Sequence, residues 1–132
     1  MEGHLETNTP IANDTETTVF TLTPPQGTYT LTYNIAFQPS GSLASYQKGY
    51  MWIDDQPHEL IVSNLALPRD WPTSKEISTN ITSDGTTPIL IKALVQAEHP
   101  VELMHKHTVT EKDQYGNDLV KNQGCYYTLI SQ

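Results

Sequence analysis

His105 and His107 come nearest, by type and spacing, to residues that do chemistry. On a strand, positions two apart point to one side, so both imidazoles could reach one ion. Glu102 falls on the opposite face, which leaves the pair without a carboxylate for a metal set. The same pair fits a semi-polar interface. It also fits an acid switch, in which protonation sets like charges close together between symmetry mates. Asp54, Asp55 and Glu59 cluster around His58. Two carboxylates held roughly 5 to 9 Å apart across a cleft can hydrolyse a glycosidic bond. A short hairpin offers no cleft, so the run reads as a solvated acidic turn, and it lacks the oxygen spacing of a calcium loop. There is no Gly-x-Ser-x-Gly elbow and no glycine-rich phosphate loop. The expectation is a protein that is not an enzyme, with no metal and no cofactor.

Binding chemistry is better represented. Arg69, Asp70 and Trp71 lie together in Leu67-Pro68-Arg69-Asp70-Trp71-Pro72, and Arg69 is the sole arginine. Aromatic and arginine side chains dominate binding hot spots because they offer large area with few torsions. Flat aromatics also stack on sugar faces. The structural alternative is that Trp71 folds back as a plug over the end of the barrel. Tyr46 and Lys48, near Tyr50, present the same choice in a second loop. Tyr115 and Asn117, beside Asp118, form a third. Trp52 alternates within a strand and is assigned to core or interface. Asn13-Asp14-Thr15 and Asn80-Ile81-Thr82 fit the glycosylation acceptor pattern, which matters only on a secretory route.

Charge narrows the partners. Seven basic residues face fifteen acidic ones, a formal net charge of −8. Nucleic-acid binders present a basic stripe that displaces counterions from phosphates, and this chain has none. DNA, RNA, anionic membrane surfaces and highly sulfated glycans are therefore disfavoured, whereas a neutral sugar or a basic protein patch is compatible. The single cysteine, Cys125, cannot form an intrachain disulfide and reads as a buried structural thiol. No stretch has the apolar length needed to span a bilayer, and the first residues lack the pattern of a signal peptide. A soluble chain without membrane insertion is expected.

The elements that must position these residues are strands. The 132 residues suit one domain. Tyr29, Leu31, Tyr33, Ile35 and Phe37 alternate with Thr28, Thr30, Thr32, Asn34 and Ala36, a strict period of two. Ile89, Ile91, Ala93 and Val95 give a second buried strand. Val19, Phe20 and Leu22 lie on a first one, ended by Pro24-Pro25-Gln26-Gly27. Tyr50–Ile53 and Glu59–Val62 flank a hairpin turn, and Ile77–Ile81 leads into Ser83-Asp84-Gly85, read as another hairpin. Leu65 to Ser74 reads as a long connection. Val101, Leu103, His105, His107 and Val109 read as one strand, Glu111 to Gly124 as a charged segment with a turn, and Cys125 to Ile130 as the last strand. The fold class expected is all-β, an antiparallel jelly-roll-like β-sandwich of roughly eight strands. Residues 1–15 read as a flexible N-terminal segment or shaft junction, and 16–132 as the single sandwich domain.

A Gly-Thr-Tyr turn at Gly27–Tyr29 opens the aromatic strand. Ile89–Val95 follows an Asp-Gly turn, and the aromatic-led Tyr126–Ile130 strand comes just before Gln132. In these features residues 17–132 resemble the tumour-necrosis-factor-like jelly roll of the trimeric heads that end viral and phage fibres. The chain lacks a collagen-like or heptad segment and the tryptophan motif of many adenoviral heads. The resemblance implies a homotrimer with its last strand at the trimer core, located at the fibre tip on the virion surface. It implies that loops bind a host cell-surface receptor, protein or glycan, for attachment. A monomeric carbohydrate-binding module or lectin-like extracellular domain is the alternative.

Overall fold

The computed structural model describes residues 1–41, 45–54, 59–67 and 73–132, with the backbone alone at 45–48, 59–67 and 73. Twelve strands are present among them: β1 (Glu2–His4), β2 (Thr9–Ile11), β3 (Thr17–Leu22), β4 (Gly27–Pro39), β5 (Ser45–Ile53), β6 (Glu59–Leu67), β7 (Thr73–Ser83), β8 (Ile89–Ala97), β9 (Val101–Leu103), β10 (His107–Lys112), β11 (Asp118–Gln123) and β12 (Tyr126–Ser131). The all-β antiparallel sandwich is as expected.

The pairing registers reduce this count to eight rows and one ribbon. β4 is paired along one edge by β7, from Gly27↔Ser83 to Phe37↔Thr73. Its other edge holds β12 from Tyr29 to Asn34 and β9 from Phe37 to Pro39, end to end. β1 pairs β12 and β2 pairs β9, so these too share one row. The first sheet therefore runs β1/β2, β9/β12, β4, β7. The second runs β3, β8, β5, β6. Apart from the β5–β6 hairpin within the second sheet, successive chain segments alternate between the two sheets in the order of a jelly roll, two interlocked Greek keys.

Alternation places the core. Leu31, Tyr33, Ile35 and Phe37 of β4 point inward against Ile89, Ile91 and Val95 of β8, and all are buried. Each such side chain stabilises the fold by roughly 1.5–3 kcal/mol through removal of apolar surface from water. Phe20 of β3 and Tyr127 of β12 meet between the sheets edge to face, with centroids 5.0 Å apart. Trp52 is buried as well, although it alternates with the core residues Met51 and Ile53 and so lies on the other face of β5.

Several local expectations change. The N-terminal residues expected to be flexible contribute β1 and β2, anchored by Leu5 N–H to the Cys125 carbonyl at 3.1 Å. Ser83-Asp84-Gly85 is not a hairpin turn, because β7 and β8 belong to different sheets. Instead the Asp84 carboxylate accepts the N–H groups of Thr86 and Thr87 at 2.8 and 2.7 Å and both hydroxyls, turning the chain from one sheet to the other. Those bonds hold its carboxyl well below the usual range, the Thr87 hydroxyl contributing most. The long connection expected from Leu65 to Ser74 is shorter, since β6 runs to Leu67 and β7 begins at Thr73. Tyr50↔Leu60 and Met51↔Glu59 do form the expected hairpin.

The strand expected from Val101 to Val109 divides in two. β9 stops at Leu103 because the next amides leave the ladder. Met104 N–H still reaches the Ala36 carbonyl at 3.0 Å, but His105 N–H turns to Asn8 Oδ1 at 2.9 Å and Lys106 N–H to the Leu5 carbonyl at 3.0 Å. The chain returns to the same row at Cys125, whose N–H donates to the Met104 carbonyl at 3.0 Å. The residues between are an excursion from one row of a sheet.

Candidate functional site

That excursion is a two-stranded ribbon. β10 and β11 pair with each other from His107↔Gln123 to Lys112↔Asp118, and with no other strand among the described residues. Most of its side chains are exposed. A lone hairpin is marginal in water, so its ends must be fixed by chemistry other than a core.

The root is fixed by buried polar contacts. Asn34 Nδ2 donates to the Gly124 carbonyl at 2.7 Å. Gly124 has φ +93°, and a Cβ there would collide with the His105 backbone, so the close approach requires glycine. His107 sets Nδ1 3.2 Å from the His105 carbonyl and Nε2 3.0 Å from Gln123 Oε1. His105 Nδ1 is 2.7 Å from Asn8 Oδ1, and Asn8 Nδ2 donates to Glu102 Oε1 at 3.2 Å. Gln38 donates to the same Glu102 oxygen at 3.0 Å.

This network ties both histidines into the root of the ribbon. The ring centroids are 5.3 Å apart, but His105 lies outside any strand, so strand alternation does not align them. Three of the four ring nitrogens face partners within the root. Among the described residues no group of three or more His, Cys, Asp or Glu side chains is arranged to hold a metal ion.

The shaft is laced by ion pairs, Lys112 with Asp118 and Lys121 with Glu111 at 2.9 Å. Exposed pairs of this kind contribute little stability singly, yet they fix the register. The tip is ordered by one carboxylate. Asp113 accepts the N–H groups of Tyr115 at 2.8 Å and Asn117 at 2.9 Å. Its own N–H reaches the Asn117 carbonyl at 2.9 Å, and Gly116 N–H reaches its carbonyl at 3.1 Å. Gly116 takes φ +81°, the left-handed residue that closes a three-residue hairpin loop. Tyr115 is thereby held on a formed loop with 79% of its surface exposed.

Of the candidate binding residues, Tyr115 and Asn117 come together at this tip. Tyr46 and Lys48 are not in a loop: β5 begins at Ser45, and Lys48 pairs Val62 on one side and Gln96 on the other. β5 lies in the second sheet, apart from the ribbon in pairing. Arg69, Asp70 and Trp71 lie outside the described residues, as do Asp55 and His58. Asp54 spends one carboxylate oxygen on the Leu90 N–H at 2.8 Å, holding a turn.

The expectation of a charged segment from Glu111 to Gly124 missed β11, and with it Leu119 and Val120, which are 43% and 65% exposed. A signal was present. Glu111, Lys112, Asp118 and Lys121 are opposite charges set around Tyr115-Gly116, as paired strands require.

No protein-family model and no curated protein matches the chain. Among solved structures it is similar to the VP2 subviral particle of infectious bursal disease virus, at 14% identity and a TM-score of 0.43. The match covers 99% of this chain and 32% of that one, so this chain spans about a third of its length.

Proposed function

We propose that this domain is an attachment head, a binding module of a viral or phage fibre that recognises a host-surface protein or glycan without catalysis. One observation carries the reading: Tyr115, a large aromatic, is displayed on a loop pre-ordered by Asp113 at the far end of a ribbon that adds nothing to the core. A pre-ordered loop loses little entropy on binding, and an exposed tyrosine supplies area and a hydroxyl together. The net charge of −8 favours a neutral or basic partner surface.

The test is binding of fluorescently labelled protein to a panel of cell types and to immobilised neutral glycans. Saturable binding is expected, with Tyr115→Ala weakening it about 30-fold, the effect of a hot spot of ~2 kcal/mol. Asn117→Ala weakens it less. Binding to no cell and no glycan, or binding unchanged in Tyr115→Ala, overturns the proposal.

A further inference from the structure

The shaft of the ribbon presents a second surface, distinct from its tip. Asp113 N–H bonds the Asn117 carbonyl, which makes these residues a hydrogen-bonded pair. Antiparallel pairs alternate, so Glu111↔Leu119 and Val109↔Lys121 are also bonded within the ribbon. Asp118, Val120 and Asn122 then direct their N–H and C=O groups away from β10. No backbone partner meets that edge among the described residues. It carries no proline and no bulge, two of the devices that keep a strand edge from pairing, and its charges, Asp118 and Lys121, are paired with Lys112 and Glu111 within the ribbon. It also carries Val120 and Leu119, two of the few large apolar side chains exposed among the described residues.

We propose that a second copy of this chain occupies this edge, β11 against β11 and antiparallel about a two-fold axis at Val120. A two-fold axis brings one residue opposite itself, and the charges limit which one. Centring on Asp118 or Lys121 sets like charges directly opposite, which is destabilising. Centring on Val120 pairs two β-branched side chains, places Asp118 opposite Asn122 of the second copy, and lays Lys121 across from the apolar Leu119. The Val120 pair and the two Asp118–Asn122 pairs use the outward backbone groups, and Leu119 and Lys121, already bonded within the ribbon, meet only through side chains. The result is a four-stranded sheet from two ribbons, and three or more strands are what a hairpin needs for independent stability.

In this register the tip loop runs past Gly124 of the second copy. Pairing therefore competes with recognition through the tip, and the pair is a resting form that dilution or a receptor opens. This regulatory consequence rests on the attachment reading, whereas the pairing itself does not.

Sedimentation and light scattering over a concentration series test the pairing on the full chain. The unaltered protein is expected to rise from one chain toward two. Val120→Lys, which sets two ammonium groups face to face, is expected to remain at one chain with unchanged circular dichroism. Val120→Pro removes an outward N–H that makes no bond within the ribbon, and is expected to behave alike. Under mild oxidation Val120→Cys is expected to give a crosslinked dimer, whereas Asn122→Cys, opposite Asp118, gives none. One chain at every concentration overturns the inference. So does a dimer indifferent to Val120→Lys, or the three-chain mass of a fibre head. Tyr115→Ala is expected to leave the mass unchanged, so failure of receptor binding and failure of pairing are read separately.

Discussion

The Cys125 thiol grips both backbone groups of Ala36, its Sγ lying 3.4 Å from the Ala36 N and 3.3 Å from the carbonyl oxygen. Ala36 faces the gap between β9 and β12, where its carbonyl also accepts the Met104 N–H at 3.0 Å and its own N–H meets the thiol. The lone cysteine thus stands in for part of a strand at the point where the ribbon leaves and returns. Burial pushes its thiol up to about 12, although the Ala36 and Met104 backbone bonds pull the other way.

The first prediction follows from that position. A thiol nucleophile must ionise, and this one remains protonated at neutral pH. Alkylation by iodoacetamide at pH 8 is expected to be negligible in the native protein and rapid in denaturant. Because the folded value is raised, its contribution to stability is complete below the unfolded value. It is lost as pH climbs through the folded one. Denaturation midpoints measured from pH 8 upward should therefore fall on the alkaline side. Fast labelling of native protein would contradict the burial.

The ribbon should be removable. Cys125 N–H and the Met104 carbonyl are already bonded at 3.0 Å, so the two ends of the excursion meet in one row. Replacing His105–Gly124 by a short Gly-Ser turn closes a small loop, at little entropic cost. The shortened chain is expected to keep its sheet circular dichroism and a cooperative melt while losing surface binding. Loss of folding would show that the ribbon supports the sandwich.

The root of the ribbon depends on Asn34. Asn34→Ala leaves the Gly124 carbonyl buried without its donor, at a cost of about 1–3 kcal/mol. Gly124→Ala is expected to cost at least as much, through the left-handed φ and the collision with His105. Amide exchange should quicken most across 107–123 in both variants, with the centre of β4 and β8 little changed.

Tyr126 supplies a spectroscopic check on the outer face of β12. Its hydroxyl donates to Glu76 of β7 across β4. Desolvation, followed by that bond and the Glu76 charge, pushes it up to about 12. Absorbance titration at the phenolate band should show a late-ionising tyrosine that disappears in Tyr126→Phe. In Glu76→Gln it should ionise earlier. Its stabilising contribution, like that of Cys125, is lost on the alkaline side.

The last strand also bears on assembly. β12 has β1 on one edge and β4 on the other, so its edges are filled and only its outer face, with Ile130 exposed, is open to another chain. A trimer built on this strand would use side chains there. Val120 and Ile130 variants, compared by mass, distinguish the two modes of association.

What the sequence determined by itself was the material of the sandwich. The period of two from Thr28 to Phe37 and from Ile89 to Val95 can bury one face only as strands, whatever their neighbours, so fold class and core were legible there. Cys125, in phase with Tyr127 and Leu129, was legible as buried for the same reason. What only the tertiary structure decided was partnership. Whether an Asp-Gly turn closes a hairpin or crosses between sheets depends on which edge is vacant, and that is a property of remote segments. The strand expected to carry both histidines ended at Leu103 because Asn8 and Leu5, about a hundred residues earlier, claimed the next amides. β11 was hidden because none of its side chains is buried, and an exposed strand leaves little hydrophobic pattern to read. The ribbon exists because its two ends are bonded in one row of a sheet, a fact that spacing along the chain does not carry.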